Sequence, residues 1–163
     1  MARIRDDQPL IPSVLDRLID DEPEKSQEAP RNRAQVLRDM KASVQRDLEN
    51  LLNTRWRASS PPEDLPLLQT SLANYGIPDF NAAFTGSVED RERLRHTIEQ
   101  VIRRFETRFK SVRVALLTNS DPSDRRLRLR IDAVLFAEPA PEPVVFDTQL
   151  EPISGSFSIL RES

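Results

Sequence analysis

Leu127-Arg128-Leu129-Arg130-Ile131-Asp132-Ala133-Val134-Leu135 is the stretch that decides the fold. Its period of two sets Leu127, Leu129, Ile131, Ala133 and Leu135 on one face, the pattern of a strand with one side against a core. The preceding run, Asn119-Ser120-Asp121-Pro122-Ser123-Asp124, has the composition of a turn. Before that turn Val112, Val114 and Leu116 alternate in the same way, so the two strands pair antiparallel across it. Downstream, Glu138-Pro139-Ala140-Pro141-Glu142-Pro143 breaks the sheet with alternating prolines. Val144-Val145-Phe146-Asp147-Thr148 reads as a third strand and Ser156-Phe157-Ser158-Ile159 as a short fourth.

Upstream of Val112 the apolar period becomes helical. Leu94, Ile98, Val101, Ile102 and Phe105 form one stripe. Ser87 supplies its N-cap, and Glu89 and Asp90 suit the positive end of the helix dipole. Leu37, Met40, Val44, Leu48 and Leu51 form another stripe, over about Ala34 to Asn53. Between the two, Leu65, Leu68, Leu72 and Tyr75 predict a shorter helix from Pro66 to Tyr75. Gly76 would be its left-handed cap, and Ile77-Pro78 would stop it. Helices first and strands last predict an α+β domain: three helices packed on one face of a small antiparallel sheet of three to four strands.

Residues 1–33 read as an N-terminal tail and residues 34–163 as the folded domain. Within the tail, Ile11, Val14, Leu15, Leu18 and Ile19 share one helical face. A helix that short is marginal in water and needs a surface to dock on. That surface is either its own domain or a partner's groove, so Leu15 and Leu18 are candidate interface residues. From Asp20 to Arg33 the chain is charged and broken by Pro23 and Pro30, the composition of a linker.

Composition removes several classes of function. The net charge is -3, with 31% charged residues. Bulk attraction to nucleic acid or an anionic membrane is not expected. No apolar run suits a secretory signal or a membrane span, so a cytoplasmic location is expected. There is no cysteine, and Gly76, Gly86 and Gly155 are too scattered to cradle a phosphate. No metal, cofactor or small-molecule substrate is expected.

Catalytic candidates are few. His96, the single histidine, lies about 200° around the helix from Leu94 and should face solvent. Ser154-Gly155-Ser156 reads as a turn, without a base to activate a nucleophile. Glu106 and Asp132 could be tried as a glycosidase pair, but nothing in their spacing singles them out. Trp56 and Tyr75 are each alone of their kind and offer no sugar platform. The arginines of the long helix, Arg91, Arg93, Arg95, Arg103 and Arg104, suit a solvated face or an acidic partner.

Phe105-Glu106-Thr107-Arg108-Phe109 joins that helix to the first strand. A carboxylate at a helix C-terminus opposes the dipole by about 0.3–1 kcal/mol, so Glu106 needs compensation. Arg108 is two residues on. On a helix it would point elsewhere, whereas in extended chain the two share a face. The pair is then a salt bridge that fixes the corner, a charged surface for another subunit, or both.

Three runs carry a resemblance: Ser43-Val44-Gln45-Arg46-Asp47-Leu48-Glu49-Asn50-Leu51-Leu52-Asn53-Thr54-Arg55, then Tyr75-Gly76-Ile77-Pro78-Asp79-Phe80, then the helix ending in Phe105-Glu106-Thr107-Arg108. With Val145-Phe146-Asp147-Thr148, and Leu15-Asp16-Arg17-Leu18 in the tail, they resemble the TssE family of type VI secretion baseplate subunits. That family is related to a wedge protein of contractile phage tails. Its junction usually reads Glu-Pro-Arg; here Thr107 stands for the proline.

The resemblance implies a non-enzymatic structural component that links the baseplate wedge to the first sheath ring. It implies templating of sheath assembly by strand exchange, for which a sheet edge is physically suited. The partners it implies are other wedge subunits and sheath subunits, with the protein held at the inner face of the cell envelope through them. Glu106 and Arg108 would fix the contact, and Leu15 and Leu18 would grip other wedge subunits. The alternative is a lysozyme-like peptidoglycan hydrolase acting through Glu106, since some relatives carry a lysozyme-related label.

Overall fold

The computed structural model describes residues 18–19, 23–24, 32–56, 64–69, 71–78, 87–119, 124, 126–137, 140–151 and 153–160. In chain order its elements are α1 (Arg33–Asn53), α2 (Pro66–Gln69), a 3-10 turn (Leu72–Asn74), α3 (Val88–Phe105), β1 (Phe109–Leu117), β2 (Leu127–Leu135), β3 (Glu142–Leu150) and β4 (Phe157–Leu160). The Leu15 expectation lies outside the described residues.

Local chemistry sets the helix ends. Asn32 opens α1 with a capping box: its side chain accepts from the Gln35 amide at 2.9 Å, and Gln35 Oε1 accepts from the Asn32 amide at 2.8 Å. Ser87 caps α3, its Oγ accepting from the Asp90 amide at 3.0 Å.

The sheet is an antiparallel meander in the order β1-β2-β3-β4. Its register stacks Val114 on Ile131 on Phe146, and Leu129 on Thr148 on Ile159. The apolar halves of all four strands therefore meet on one face. There α3 lies against β1 and α1 against β4, and the two helices touch. Leu48, Leu52, Leu94, Ile98, Ile102, Leu129, Ile131 and Leu135 are fully buried between the layers. The opposite face is polar in part, with Arg130 paired to Asp147 at 2.9 Å.

Among the described residues two long helices cover the sheet, and the expected third is not found. The stretch expected to be one helix from Pro66 to Tyr75 is a single α turn and a separate 3-10 turn. Ser71 divides them. Its Oγ donates to the Leu68 carbonyl at 2.8 Å and caps the 3-10 turn, giving the backbone an alternative to the helical ladder. Leu67 and Leu72, apolar at helical spacing, are exposed and not packed on the sheet.

The third strand also begins earlier than the prolines suggest. β3 starts at Glu142 and carries Pro143 opposite Val134. At the start of a strand a proline removes only one donor and still accepts an extended backbone.

A further connection ties the chain between α1 and α3 to the domain. The Ile77 amide donates to the Thr54 carbonyl at 2.9 Å, and the Trp56 amide donates to the Ile77 carbonyl at 2.9 Å. Two of the runs that carry the resemblance, Leu52-Asn53-Thr54-Arg55 and Tyr75-Gly76-Ile77-Pro78, thus meet in a short parallel bridge.

Candidate functional site

The last turn of α3 brings Glu106 to the domain's inner corner. Glu106 is the C-cap of that helix, with φ -96° and ψ 83°, so the chain has already left helical geometry there. Thr107 is exposed in the following turn, and Arg108 returns to the same side as Glu106. The Phe109 amide donates to the Glu106 carbonyl at 3.3 Å and closes this turn, so a turn, and not the extended chain expected, sets Arg108 beside Glu106. Threonine permits the stop without the forced φ of a proline.

Arg108 engages through every nitrogen of its guanidinium. Its Nε donates to Glu106 Oε1 at 2.7 Å and its Nη2 to Glu106 Oε2 at 2.5 Å. Its backbone amide adds a bond to Glu106 Oε1 at 3.1 Å. Nη1 donates to Ser43 Oγ at 3.2 Å and Nη2 to Asp47 Oδ2 at 2.7 Å, both on α1. Glu106 is only 7% exposed. The forked pair supplies the compensation its place at the helix end requires. Burial opposes the charge on Arg108, but hydrogen bonds and attraction from Glu106, then from Asp47, raise its pKa further above the ordinary value.

Tyr75 closes the corner, its ring edge-on to Phe105 with centroids 5.4 Å apart. Burial raises its hydroxyl pKa, and the negative charges of Asp47 and Glu106 push the same way, against Arg108.

Sequence reasoning found Glu106 and Arg108 and missed Ser43 and Asp47 as their partners. The available signal was the i, i+4 spacing of those two beside the apolar residues Val44 and Leu48 of α1. Leu18 is an exposed side chain, 75% accessible. His96 is exposed as expected, with Gln100 Nε2 2.8 Å from its Nε2. Asp132 is exposed between buried Ile131 and Ala133, so it projects from the open face of the sheet, away from the helix-side layer that holds Glu106. The two acids do not flank one cleft, and both Glu106 oxygens already accept from Arg108. Among the described residues no group of histidine, cysteine and acidic side chains could hold a metal ion. No described helix is long and apolar enough to cross a membrane.

The sheet edges form a second feature. Side chains from the helices are bonded to outward backbone groups of both outer strands. On β1, Glu99 Oε2 accepts from the Val114 amide at 3.0 Å, Arg95 donates to the Val114 carbonyl at 3.2 Å, and Arg103 donates to the Val112 carbonyl at 3.3 Å. On β4, Asn53 accepts from the Phe157 amide at 2.8 Å and donates to its carbonyl at 2.9 Å, while Gln45 donates to the Ile159 carbonyl at 3.0 Å. Part of the arginine stripe thus has an internal use. Arg55 also donates to the Gly155 carbonyl, holding the β3–β4 turn to the end of α1.

The described residues thus form a two-layer domain with a braced corner and with helix side chains bonded along both outer strands. The family model for baseplate wedge protein gp25 matches residues 38–140, from α1 through β2 and the corner between them. The chain belongs to the baseplate wedge protein gp25 family, in agreement with the resemblance read from its residues. Among solved structures it is similar to a chain of "The baseplate complex from the type VI secretion system", at 17% identity and a TM-score of 0.48. That alignment covers 70% of this chain and 96% of the other. No curated protein matches.

Proposed function

We propose that the chain is a structural subunit of a type VI secretion baseplate, joining the wedge to the first sheath ring and templating sheath assembly by strand exchange. The observation that carries this reading is the family match, which runs through α1, α3 and the Glu106–Arg108 corner. On this reading the partners are other wedge subunits and sheath subunits, which hold the protein at the inner face of the envelope.

The corner supports the reading in one specific way. Arg108 locks α1 to the end of α3, so surfaces on both helices keep a fixed relation for a neighbour to recognise. The exposed Leu18 suits a contact made by the tail, in which Leu15 would share its helical face.

The test is co-purification with the wedge and sheath subunits of the same machine, using the whole chain and a chain lacking residues 1–33. The whole chain should hold both classes of partner, and the truncated chain should lose wedge subunits first. Glu106→Ala and Arg108→Ala should prevent sheath assembly while the domain remains folded by circular dichroism. Normal sheaths built by either variant would refute the role given to the corner.

A further inference from the structure

We propose that β1 is the acceptor edge, and that Arg95, Glu99 and Arg103 are place-holders that an incoming strand of a sheath subunit displaces. This rests on the strand-exchange reading above and adds which edge is used and what keeps it closed beforehand.

The three bonds on β1 reproduce what a neighbouring strand would make. Glu99 takes the place of a partner carbonyl at the Val114 amide, and the two arginines take the place of partner amides at the Val112 and Val114 carbonyls. Their removal is cheap. Glu99 is paired with Arg95 at 3.2 Å and with Arg103 at 3.0 Å, so the three charges still satisfy one another after leaving the backbone. There is also room. An open groove of about 660 Å³ runs between α3 and the strand, lined by those side chains and by residues 112–116. Such a groove takes an extended segment through its backbone, so the partner needs little more than a strand free to pair.

The β4 edge differs on each count. Its described part is four residues long, against nine for β1. Its caps are the neutral amides of Asn53 and Gln45, for which no such charged partner remains after displacement. Asn53 satisfies both backbone groups of Phe157 at once, as a fixed closure would.

The experiment is hydrogen–deuterium exchange on the full chain, free and bound to the sheath subunits of its own machine, with Glu99→Ala and the size-conserving Glu99→Gln alongside. In the free chain, Glu99→Ala should speed exchange at Val114 by roughly two- to tenfold, the span of one net hydrogen bond, and Glu99→Gln, which keeps an acceptor oxygen but loses the charge, should speed it less. On binding, the amides of residues 112–116 should slow by at least about tenfold and those of 157–160 should not change. Both variants should capture the sheath subunits faster than the parent chain, because there is less to displace. New protection confined to 157–160 would overturn the edge assignment and leave strand exchange standing. A stable complex with no new protection at either edge would refute strand exchange itself. Weaker capture by a folded Glu99→Gln chain would show that Glu99 is a contact and not a place-holder.

Discussion

Arg108 donates to Asp47 at 2.7 Å while its fork holds Glu106, so one guanidinium joins α1 to the end of α3. A buried ion pair adds little net stability over an apolar replacement, but removing one partner is costly. Arg108→Ala would strand a Glu106 that is 7% exposed. The expected loss is about 2–4 kcal/mol, below the fully buried range because solvent reaches the guanidinium. Urea unfolding measures it. Adding Glu106→Gln should recover part of the loss, since a neutral amide needs no counter-charge. A double variant no more stable than Arg108→Ala would mean that the clamp to α1, and not the charge on Glu106, sets the cost.

Tyr75 reports on that corner, because it is the single tyrosine in the chain. Its pKa lies above the ordinary 10.0, first through burial and then through Asp47 and Glu106. The folded state therefore holds the proton longer than the unfolded state. The contribution of Tyr75 to stability is complete below pH 10 and is lost as pH rises through the folded value. Following tyrosinate absorbance against pH, Asp47→Asn should lower the midpoint and Arg108→Ala should raise it. Midpoints that do not move in these variants would mean that burial alone sets the shift.

These relations show where the sequence was legible. The bounds of α3 followed from Ser87, the acids behind it and the stripe ending at Phe105, all local signals. β2 was readable because its period is unbroken. The i, i+2 logic found Glu106 and Arg108, since it concerns two residues on one short stretch. Ser43 and Asp47 lie more than sixty positions earlier, and only packing brings them to the pair. The helix from Pro66 to Tyr75 failed for a local reason: apolar spacing does not register that the Ser71 hydroxyl competes for the backbone. Arg95 and Arg103 read as part of a solvated or partner-binding face, and Glu99, four positions from each, carried no signal of its own. Their backbone targets on β1 are fixed by how α3 sits on the sheet, which no spacing rule contains.

Asp124, just ahead of β2, carries its own pH dependence. Hydrogen bonds from the Arg126 side chain, and next from its backbone amide, lower the pKa of Asp124 from 3.8 to about 2. A depressed folded pKa means that the stabilisation is complete above the unfolded value and is lost as pH falls from 3.8 through about 2. Carboxyl carbon shifts followed by NMR should place this titration near the lower value. Arg126→Ala should return it toward the upper one. An unchanged midpoint in that variant would assign the shift to other groups.

Gly76 holds the parallel bridge open. Its φ is +108°, and a Cβ there would stand 2.4 Å from the Thr54 carbonyl oxygen. That atom is backbone and already accepts from the Ile77 amide, so it cannot yield cheaply. Gly76→Ala combines this overlap with a backbone conformation that costs other residues about 1–3 kcal/mol. Stability should fall by at least roughly 2 kcal/mol in urea, with faster amide exchange at Ile77. A variant as stable as the parent would mean that the bridge contributes nothing to the fold.

Thr148 is the opposite case, a position where change should help. It is 2% exposed on the apolar face of the sheet, between Leu129 and Ile159. Its hydroxyl has no hydrogen-bond partner among the described residues. A buried, unpaired hydroxyl loses its water without replacement, at a cost of about 1–3 kcal/mol. Valine has the same branched shape and nothing to desolvate. Thr148→Val should therefore raise stability by about 1 kcal/mol, seen as a higher urea midpoint at an unchanged slope. A lower midpoint would show that the hydroxyl is satisfied in solution, by a water held between the layers. Serine at the same place would keep the hydroxyl and lose the methyl, so Thr148→Ser should fall below the parent whichever account of the hydroxyl holds.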